Sequence, residues 1–192
     1  MRIRRFCLIL VLCFAPVGQG LAAEPPDTKA LIASQQQAMA ALAIFDGTWR
    51  GPASATEPSG QQRRITQTER VGSLLDGSIK VIEGRGFTAD GVKTFNAFAV
   101  ISFSPQTSTY NFHAYAQGHS GDFPMQVTPN GFTWSIKAGP ATIRYTATVT
   151  DGVWSEIGER IVEGQQPAKI FEMTLRRVGN TDWPAAGAVP PQ

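Results

Sequence analysis

Short apolar runs separated by turn residues fill the chain from Phe45 to about residue 178. The runs are rich in Thr, Val, Ile, Phe and Tyr, which favour strands. Gly, Pro, Asn or Asp interrupts them at the spacing typical of hairpins, and about nine interruptions predict about ten strands. Helical patterns do not separate the strands, so we expect antiparallel pairing. An up-and-down barrel is favoured over a sandwich, because closure leaves no strand edge exposed.

Apolar and polar positions alternate within several of these predicted strands. One face of an early strand carries Phe95, Ala97, Ala99, Ile101 and Phe103, and one face of a later strand carries Phe132, Trp134 and Ile136. In a middle strand, Asn111, His113 and Tyr115 alternate with Tyr110, Phe112 and Ala114. We expect the first, more polar set to face inward, because a binding cavity needs orienting groups among its apolar walls.

A segment before the strands, from Asp27 to Ile44, is rich in Ala, Gln, Leu and Met and predicts one helix. Asp27 or Thr28 is placed to cap it. Its weak apolar stripe indicates a helix that lies on the barrel or covers one of its ends. The resulting division is a helix over 24–44, a barrel over 45–178 and a disordered tail over 179–192, whose end is rich in proline.

The first 23 residues have the pattern of a secretory signal peptide. Three arginines near the start precede an apolar run from Phe6 to Val17, and small residues follow up to Ala23. That run is shorter than the roughly 20 residues of a bilayer span, so we expect no membrane anchor to remain after cleavage. The expected location is periplasmic or secreted.

Loss of this segment changes the charge and the available chemistry. The 17 basic residues of the chain fall by three to 14, against 15 acidic residues. Without a basic surplus, no nucleic-acid partner is expected. Both cysteines, Cys7 and Cys13, lie in the segment expected to be removed. Disulfides, cysteine metal sites and cysteine nucleophiles are therefore excluded from the predicted mature chain.

Several short motifs together resemble the lipocalins and fatty-acid-binding proteins of the calycin superfamily. They are a short helix leading into Phe45-Asp46-Gly47-Thr48-Trp49, the meander that follows, and the final Glu172-Met173-Thr174-Leu175-Arg176-Arg177. Within that superfamily the chain most resembles the bacterial DUF1579-type lipocalin-like proteins. The matching segments are Gly47-Thr48-Trp49-Arg50-Gly51, Thr68-Glu69-Arg70 leading to Leu75-Asp76-Gly77, and Asp151-Gly152-Val153-Trp154-Ser155-Glu156. The resemblance implies structural roles for Gly47 and Trp49, with an arginine of the last strand lying across the indole. Arg176 is the preferred partner, with Arg177 as the alternative.

The chain departs from two better-known branches of the superfamily. Fatty-acid-binding proteins hold a carboxylate with an Arg-x-Tyr arrangement, whereas Arg144 and Tyr145 are adjacent here and face opposite sides of a regular strand. Haem-binding barrels of the nitrobindin type extend the first motif with further glycines, but Pro52 and Ala53 follow Gly51 here. Neither a fatty acid nor haem is expected, and no cofactor is predicted.

No catalytic constellation stands out among the chemically reactive residues. His113 and His119 match no metal-ligand spacing, and Gly118-His119-Ser120-Gly121 lacks the final glycine of a nucleophile elbow. Glu156 near Arg144 would make a buried polar anchor, although cross-strand ion pairs facing water are the alternative. The predicted ligand-binding residues are His113, Tyr115, Trp134, Arg144 and Glu156, with no catalytic or metal-binding residue.

Three functions fit these patterns. The first is an exported, non-enzymatic protein that binds a small, largely apolar molecule inside its barrel. The second is an interaction module with a solid barrel and a protein partner. The third is an enzyme that uses the cavity, with Glu156, Arg144 and His113 converging on it.

Export is testable directly. We expect the protein recovered from its native compartment to begin at Glu24, or one residue earlier, because the charged start, apolar run and small residues define a cleavage site. N-terminal sequencing measures this. An intact Met1 would contradict the signal peptide.

Overall fold

One helix opens the described part of the chain, which in the computed structural model comprises residues 27–57 and 59–183. Helix α1 spans Thr28–Ala40, and Asp27 caps it by accepting a hydrogen bond from the backbone N–H of Lys29 at 3.0 Å. A short 3₁₀ helix follows at Ala43–Phe45. The predicted cap at Asp27 is thus confirmed, while the α-helix ends earlier than the pattern predicted.

Ten antiparallel strands follow and close into one barrel. They are β1 (Gly47–Thr56), β2 (Gln62–Leu74), β3 (Ile79–Phe87), β4 (Lys93–Ser104), β5 (Thr109–Ala116), β6 (His119–Thr128), β7 (Gly131–Ala138), β8 (Ala141–Thr150), β9 (Val153–Val162) and β10 (Ala168–Gly179). Each strand pairs with its neighbour in sequence, and β1 also pairs with β10. The prediction of an all-β, up-and-down barrel of about ten strands after one helix is confirmed.

Tight hairpins connect the strands where the sequence signals were strongest. The β8–β9 connection is Asp151-Gly152, and both residues have positive φ, 50° and 71°. Two consecutive residues of this kind match the right-handed twist of the flanking strands. The same Asp-Gly pair that indicated a turn in the sequence therefore sets the register of β8 on β9.

Helix α1 covers the end of the barrel formed by the β2–β3 and β4–β5 connections. Gln35 donates a side-chain hydrogen bond to the carbonyl of Phe103 at 3.3 Å, and Gln36 donates one to the carbonyl of Asp76 at 2.8 Å. The Tyr110 hydroxyl donates to the carbonyl of Ala38 at 3.1 Å. The helix therefore closes one end of the barrel instead of lying along its side.

An aromatic cluster fills the barrel under this helix. Trp49 is 1% exposed and donates its indole N–H to the carbonyl of Phe45 at 2.7 Å. Its ring meets that of Trp154 edge-on with centroids 5.8 Å apart, while Phe45 packs 4.9 Å from both Trp154 and Phe132. The 3₁₀ helix, β1, β7 and β9 are thereby tied together at the closed end.

The seam between β1 and β10 corrects the expected partner of Trp49. Trp49 lies opposite Arg177, whereas Arg176 lies opposite Arg50 on the outer face and is exposed. Arg177 donates to the carbonyl of Asp46 at 3.2 Å. Gly47 has φ +136°, and a Cβ there would meet the Arg177 side chain at 2.8 Å. The alternation of β10 thus places Arg177, and not Arg176, beside Trp49, but within the described residues neither arginine lies over the Trp49 ring.

A largely buried ion pair also stabilises this end of the barrel. The ammonium of Lys80 lies 2.7 and 2.9 Å from the two carboxylate oxygens of Asp46, and 2.8 Å from the hydroxyl of Ser73. Its three donors are therefore satisfied, as a buried ammonium requires.

The segment after β10 returns to the outer face of the barrel. Trp183 packs 6.2 Å from Phe98, and the Arg70 guanidinium lies 5.2 Å from the Trp183 ring centroid. Gly179, the first residue of the predicted tail over 179–192, still belongs to β10. Residues 184–192 and the predicted signal peptide lie outside the described residues. Within the described ranges, no helix has the length and hydropathy of a membrane span.

Truncation of Trp49 tests the importance of the aromatic cluster. We expect Trp49→Ala to lower the free energy of unfolding by about 3–5 kcal/mol, because it leaves a void at the closed end. Arg176→Ala, on the exposed face, should change it by no more than about 0.5 kcal/mol. Urea unfolding followed by circular dichroism measures both. Equal stability of Trp49→Ala and wild type would contradict this role.

Candidate functional site

The barrel encloses a cavity of about 380 Å³ beyond the aromatic cluster. It reaches from Trp154 and Met173 to Arg63 near the β1–β2 hairpin, at the end opposite the helix. Its lining is mostly apolar, and its polar side chains are those of Arg63, Gln67, Glu69, Trp134, Tyr145, Trp154 and Glu156.

Small side chains on one wall account for the empty space. Gly84, Ala97 and Ala116 lie side by side on β3, β4 and β5, and Ala99 pairs with Ala114 in the next row. All five line the cavity. Larger side chains at these positions would fill the lumen, as they do in a solid barrel core.

Aromatic rings form the opposite wall. The rings of Trp134 and Tyr145 are stacked, with centroids 4.3 Å apart and planes 10° apart. The ring centroid of Phe112 lies 4.9 Å from that of Trp134, and the ring centroid of Phe171 lies 5.9 Å from that of Tyr145. A Cβ on Gly158 would meet the Tyr145 ring at 2.8 Å, so this glycine makes room for the ring. The wall is a preformed apolar surface.

Glu156 is a carboxyl buried among these rings. It is 8% exposed and accepts a hydrogen bond from the indole N–H of Trp134 at 3.3 Å. Burial raises its pKa to about 7, and the indole N–H groups of Trp134 and Trp154 oppose the rise. Glu156 therefore stays partly protonated near neutral pH, unlike a surface glutamate.

Glu69 places a second carboxyl in the same lumen. Burial raises its pKa well above the usual value, the hydrogen bond from Gln67 opposes that rise, and the negative charge of Glu156 adds to it. Gln67 donates to Glu69 at 2.7 Å. Glu69 lies opposite Gly84, where a Cβ would meet a carboxylate oxygen at 2.7 Å. The absence of a side chain at Gly84 thus creates the space that Glu69 occupies.

Trp154 supplies a buried donor beside the two acids. Its indole N–H makes no hydrogen bond within the described residues, although it is close enough to Glu156 to lower the pKa of that group. Buried donors nearly always have partners, so this N–H is available to an acceptor in the lumen.

The structure brings two of the five predicted ligand-binding residues together. Trp134 and Glu156 both line the cavity and contact each other. Their placement agrees with the expected alternation of their strands.

His113 and Tyr115 require correction, because they face away from the lumen. Tyr115 is 49% exposed, and the inner positions of β5 are Phe112 and Ala114. His113 lies 2.7 Å from the carboxylate of Asp122 on the outer face. The apolar set of β5 faces inward because the lumen is mostly hydrophobic, and its polar groups come from other strands.

Arg144 also lies outside and does not meet Glu156. Its neighbour Tyr145 points into the cavity, so Arg144 points to solvent and pairs with Glu159 at 2.8 Å. The polar anchor expected from Arg144 and Glu156 is therefore absent. Arg144 instead forms an outward-facing cross-strand ion pair with Glu159, which was the alternative expectation.

Gln67, Glu69 and Tyr145 are cavity residues that the sequence analysis did not select. A signal for the first two was present, because they lie between Ile65 and Val71 at steps of two residues along β2. Residues at steps of two along a strand point to the same face, so the two apolar residues indicate that all four side chains face inward. Their polarity concealed the inward orientation.

No metal site is evident in this part of the chain. Among residues 27–57 and 59–183, no three His, Cys, Asp or Glu side chains are grouped closely enough to hold an ion. The pair of carboxyls has no third ligand beside it.

Solved structures with a similar barrel include Rv2717c from M. tuberculosis and an S-type phycobiliprotein lyase, CPES, from Guillardia theta. The first is 12% identical, with a TM-score of 0.56 over 73% of this chain and 96% of that chain. The second is 10% identical, with a TM-score of 0.50 over 81% of this chain and 100% of that chain. No family model and no curated protein matches the sequence. The similarities show a lipocalin-like barrel fold and nothing more specific.

The buried acids predict a dependence of stability on pH. An unfolded glutamate ionises near pH 4.5, whereas Glu156 keeps its proton up to about pH 7. Between these values the folded state binds more protons, so its stability falls as pH rises. Relative to Glu156→Gln, wild type should lose about 2–3 kcal/mol between pH 5 and pH 8. Denaturant unfolding at the two pH values measures this.

The matched control is Glu159→Gln, a carboxylate of the same strand that faces solvent. It should keep the wild-type pH dependence. The buried-acid account fails if wild type and Glu156→Gln respond equally to pH.

Proposed function

We propose that this protein is an exported, non-enzymatic binding protein that holds a small, largely apolar molecule in its barrel. The cavity of about 380 Å³ is the observation that carries the proposal. Small-molecule sites are concave, mostly apolar, and contain a few polar groups that orient the ligand. This lumen combines an aromatic wall with Gln67, Glu69 and Glu156.

The proposal extends to location and family. The charged start, the apolar run and Ala23 favour export to the periplasm or secretion. The segments that resemble DUF1579-type proteins favour membership of that family, and the barrel fold is compatible with it. Fold alone does not determine function, so the argument rests on the lumen.

The two alternative functions have less support. The enzyme hypothesis needed Glu156, Arg144 and His113 to converge, but Arg144 pairs with Glu159 and His113 lies beside Asp122, both outside. The interaction-module hypothesis needed a solid barrel, whereas alanine and glycine line this barrel at positions where larger side chains would fill the lumen. A protein partner on the outer face is compatible with ligand binding inside.

Titration with Prodan, a small neutral naphthalene dye whose emission reports polarity, tests the proposal. We expect saturable binding with blue-shifted emission. Ala97→Phe should weaken binding at least about tenfold, because a ring on this inner position occupies the space for the ligand. Fluorescence titration measures affinity, and circular dichroism verifies that the variant is folded.

The matched control is Asn96→Phe, which adds the same ring one residue earlier on the outer face. Tyr115→Ala removes an exposed aromatic side chain from that face. Both should bind Prodan as wild type does. Absence of saturable binding by wild type, or equal binding by Ala97→Phe, would contradict a ligand in the lumen.

A further inference from the structure

The charges inside the lumen are unbalanced. Glu69 and Glu156 both line the cavity, and within the described residues neither makes a salt bridge. Arg63 is the single basic residue of the lining, and its guanidinium lies at the rim, 3.6 Å from Glu57 and 42% exposed. Lys80 is fully engaged by Asp46 at the other end. Among the residues that the structure describes, the two acids therefore have no positive partner.

We propose that the lumen selects molecules in which a positively charged nitrogen is attached to a small apolar body, with Glu69 and Glu156 as the counter-charge. This inference rests on the proposed function, because it specifies the ligand class of the same cavity. Buried carboxylates are costly unless they are paired. A bound cation would supply the positive charge that no described side chain offers to Glu69 and Glu156.

The donors around Glu156 are arranged for its ionised form. Trp134 donates to the carboxyl at 3.3 Å, and the N–H of Trp154 lies beside it without another partner. Two indole donors favour a carboxylate over a carboxylic acid. Burial opposes ionisation of Glu156, so a bound cation is what would allow Glu156 to accept both donors as an anion.

The groups facing Glu69 lead to the same ligand class. Gln67 donates to it, and the charges of Glu156 on β9 and Glu83 on β3 both oppose its ionisation. No cationic side chain in the described lining offsets these charges near Glu69, since Arg63 is engaged at the rim. A positive ligand is therefore attracted by both acids.

The aromatic wall suits a cation with an apolar body. Trp134 donates to Glu156, and the rings of Tyr145, Phe112 and Phe171 continue the wall of the same cavity. A cation near aromatic rings is attracted by their quadrupoles. Their remaining surface accepts hydrocarbon. An anionic ligand would instead meet two carboxyls that must both stay protonated.

A matched series of fluorescent probes tests this ligand class. The probes are the trimethylammonium derivative of dansylcadaverine, which is cationic at every pH, the neutral N-acetyl derivative, and dansyl-aminohexanoate, which is anionic. At pH 7.5 we expect the cation to bind at least about tenfold more tightly than the neutral probe, and the anion most weakly. The affinity for the cation should rise from pH 5 to pH 8, as Glu156 ionises, while that for Prodan stays constant.

Substitution of the acids assigns the preference to its residues. Glu69→Gln/Glu156→Gln should bind Prodan and the neutral probe as wild type does but lose the preference for the cation. Glu159→Gln, which removes an outward carboxylate of β9 paired with Arg144, should keep that preference. If the double variant does not fold, the pH series on wild type decides the matter.

Each outcome separates the two proposals. Saturable binding of Prodan with equal affinity for the neutral and cationic probes overturns the ligand class and leaves the binding function intact. A cation preference that survives the double substitution, or does not rise with pH, also overturns it. Failure of every probe to bind overturns both.

Discussion

The pairing of β1 with β10 is the constraint on which the rest of this structure depends. It joins the two ends of the barrel sequence, so every strand has two partners and no edge remains in the sheet. Closure also fixes which side chains face inward, because a slip of one residue would move the whole inner set to solvent. The register at this seam places Trp49 and Leu175 inside and leaves Arg50 and Arg176 outside. Closure is therefore what turns an alternating sequence into a lumen with a defined lining.

Side-chain size then divides that lumen into a filled end and an open part. At the helical end, Trp49, Phe45 and Trp154 fill the barrel completely, and α1 covers them. Further along, glycine and alanine on β3 to β5 face the aromatic wall and leave about 380 Å³ unfilled. The solid end supplies the burial that stabilises the fold, since burial of large aromatic side chains dominates core energetics. The open part can consequently hold polar groups without loss of the barrel.

Turn spacing and alternation predicted the architecture, but not the phase of each strand. The Asp-Gly and other turn signals are local, and the strand count follows from them. In β5, however, Tyr110 with Phe112 and His113 with Tyr115 are both plausible inner sets, because each contains aromatic residues. The choice depends on which face of the sheet becomes the lumen when β1 pairs with β10, and these two strands are distant in sequence. The same limit applies to Arg144. Because Arg144 and Tyr145 are adjacent, the sequence predicts that they face opposite sides of the strand, but it does not predict which of them faces inward.

The inner polar residues are where the local pattern and the global fold disagree. Glu69 and Gln67 occupy positions of β2 that the neighbouring residues Ile65 and Val71 mark as inner, and a chain selected for stability alone would place apolar side chains there. Burial raises the pKa of Glu69 and Glu156, and each keeps a cost that a leucine would not carry. Gly84 makes room for one acid, and Trp134 donates to the other. Because neighbouring positions accommodate these acids instead of neutralising them, their charge is directed at the cavity and at what enters it.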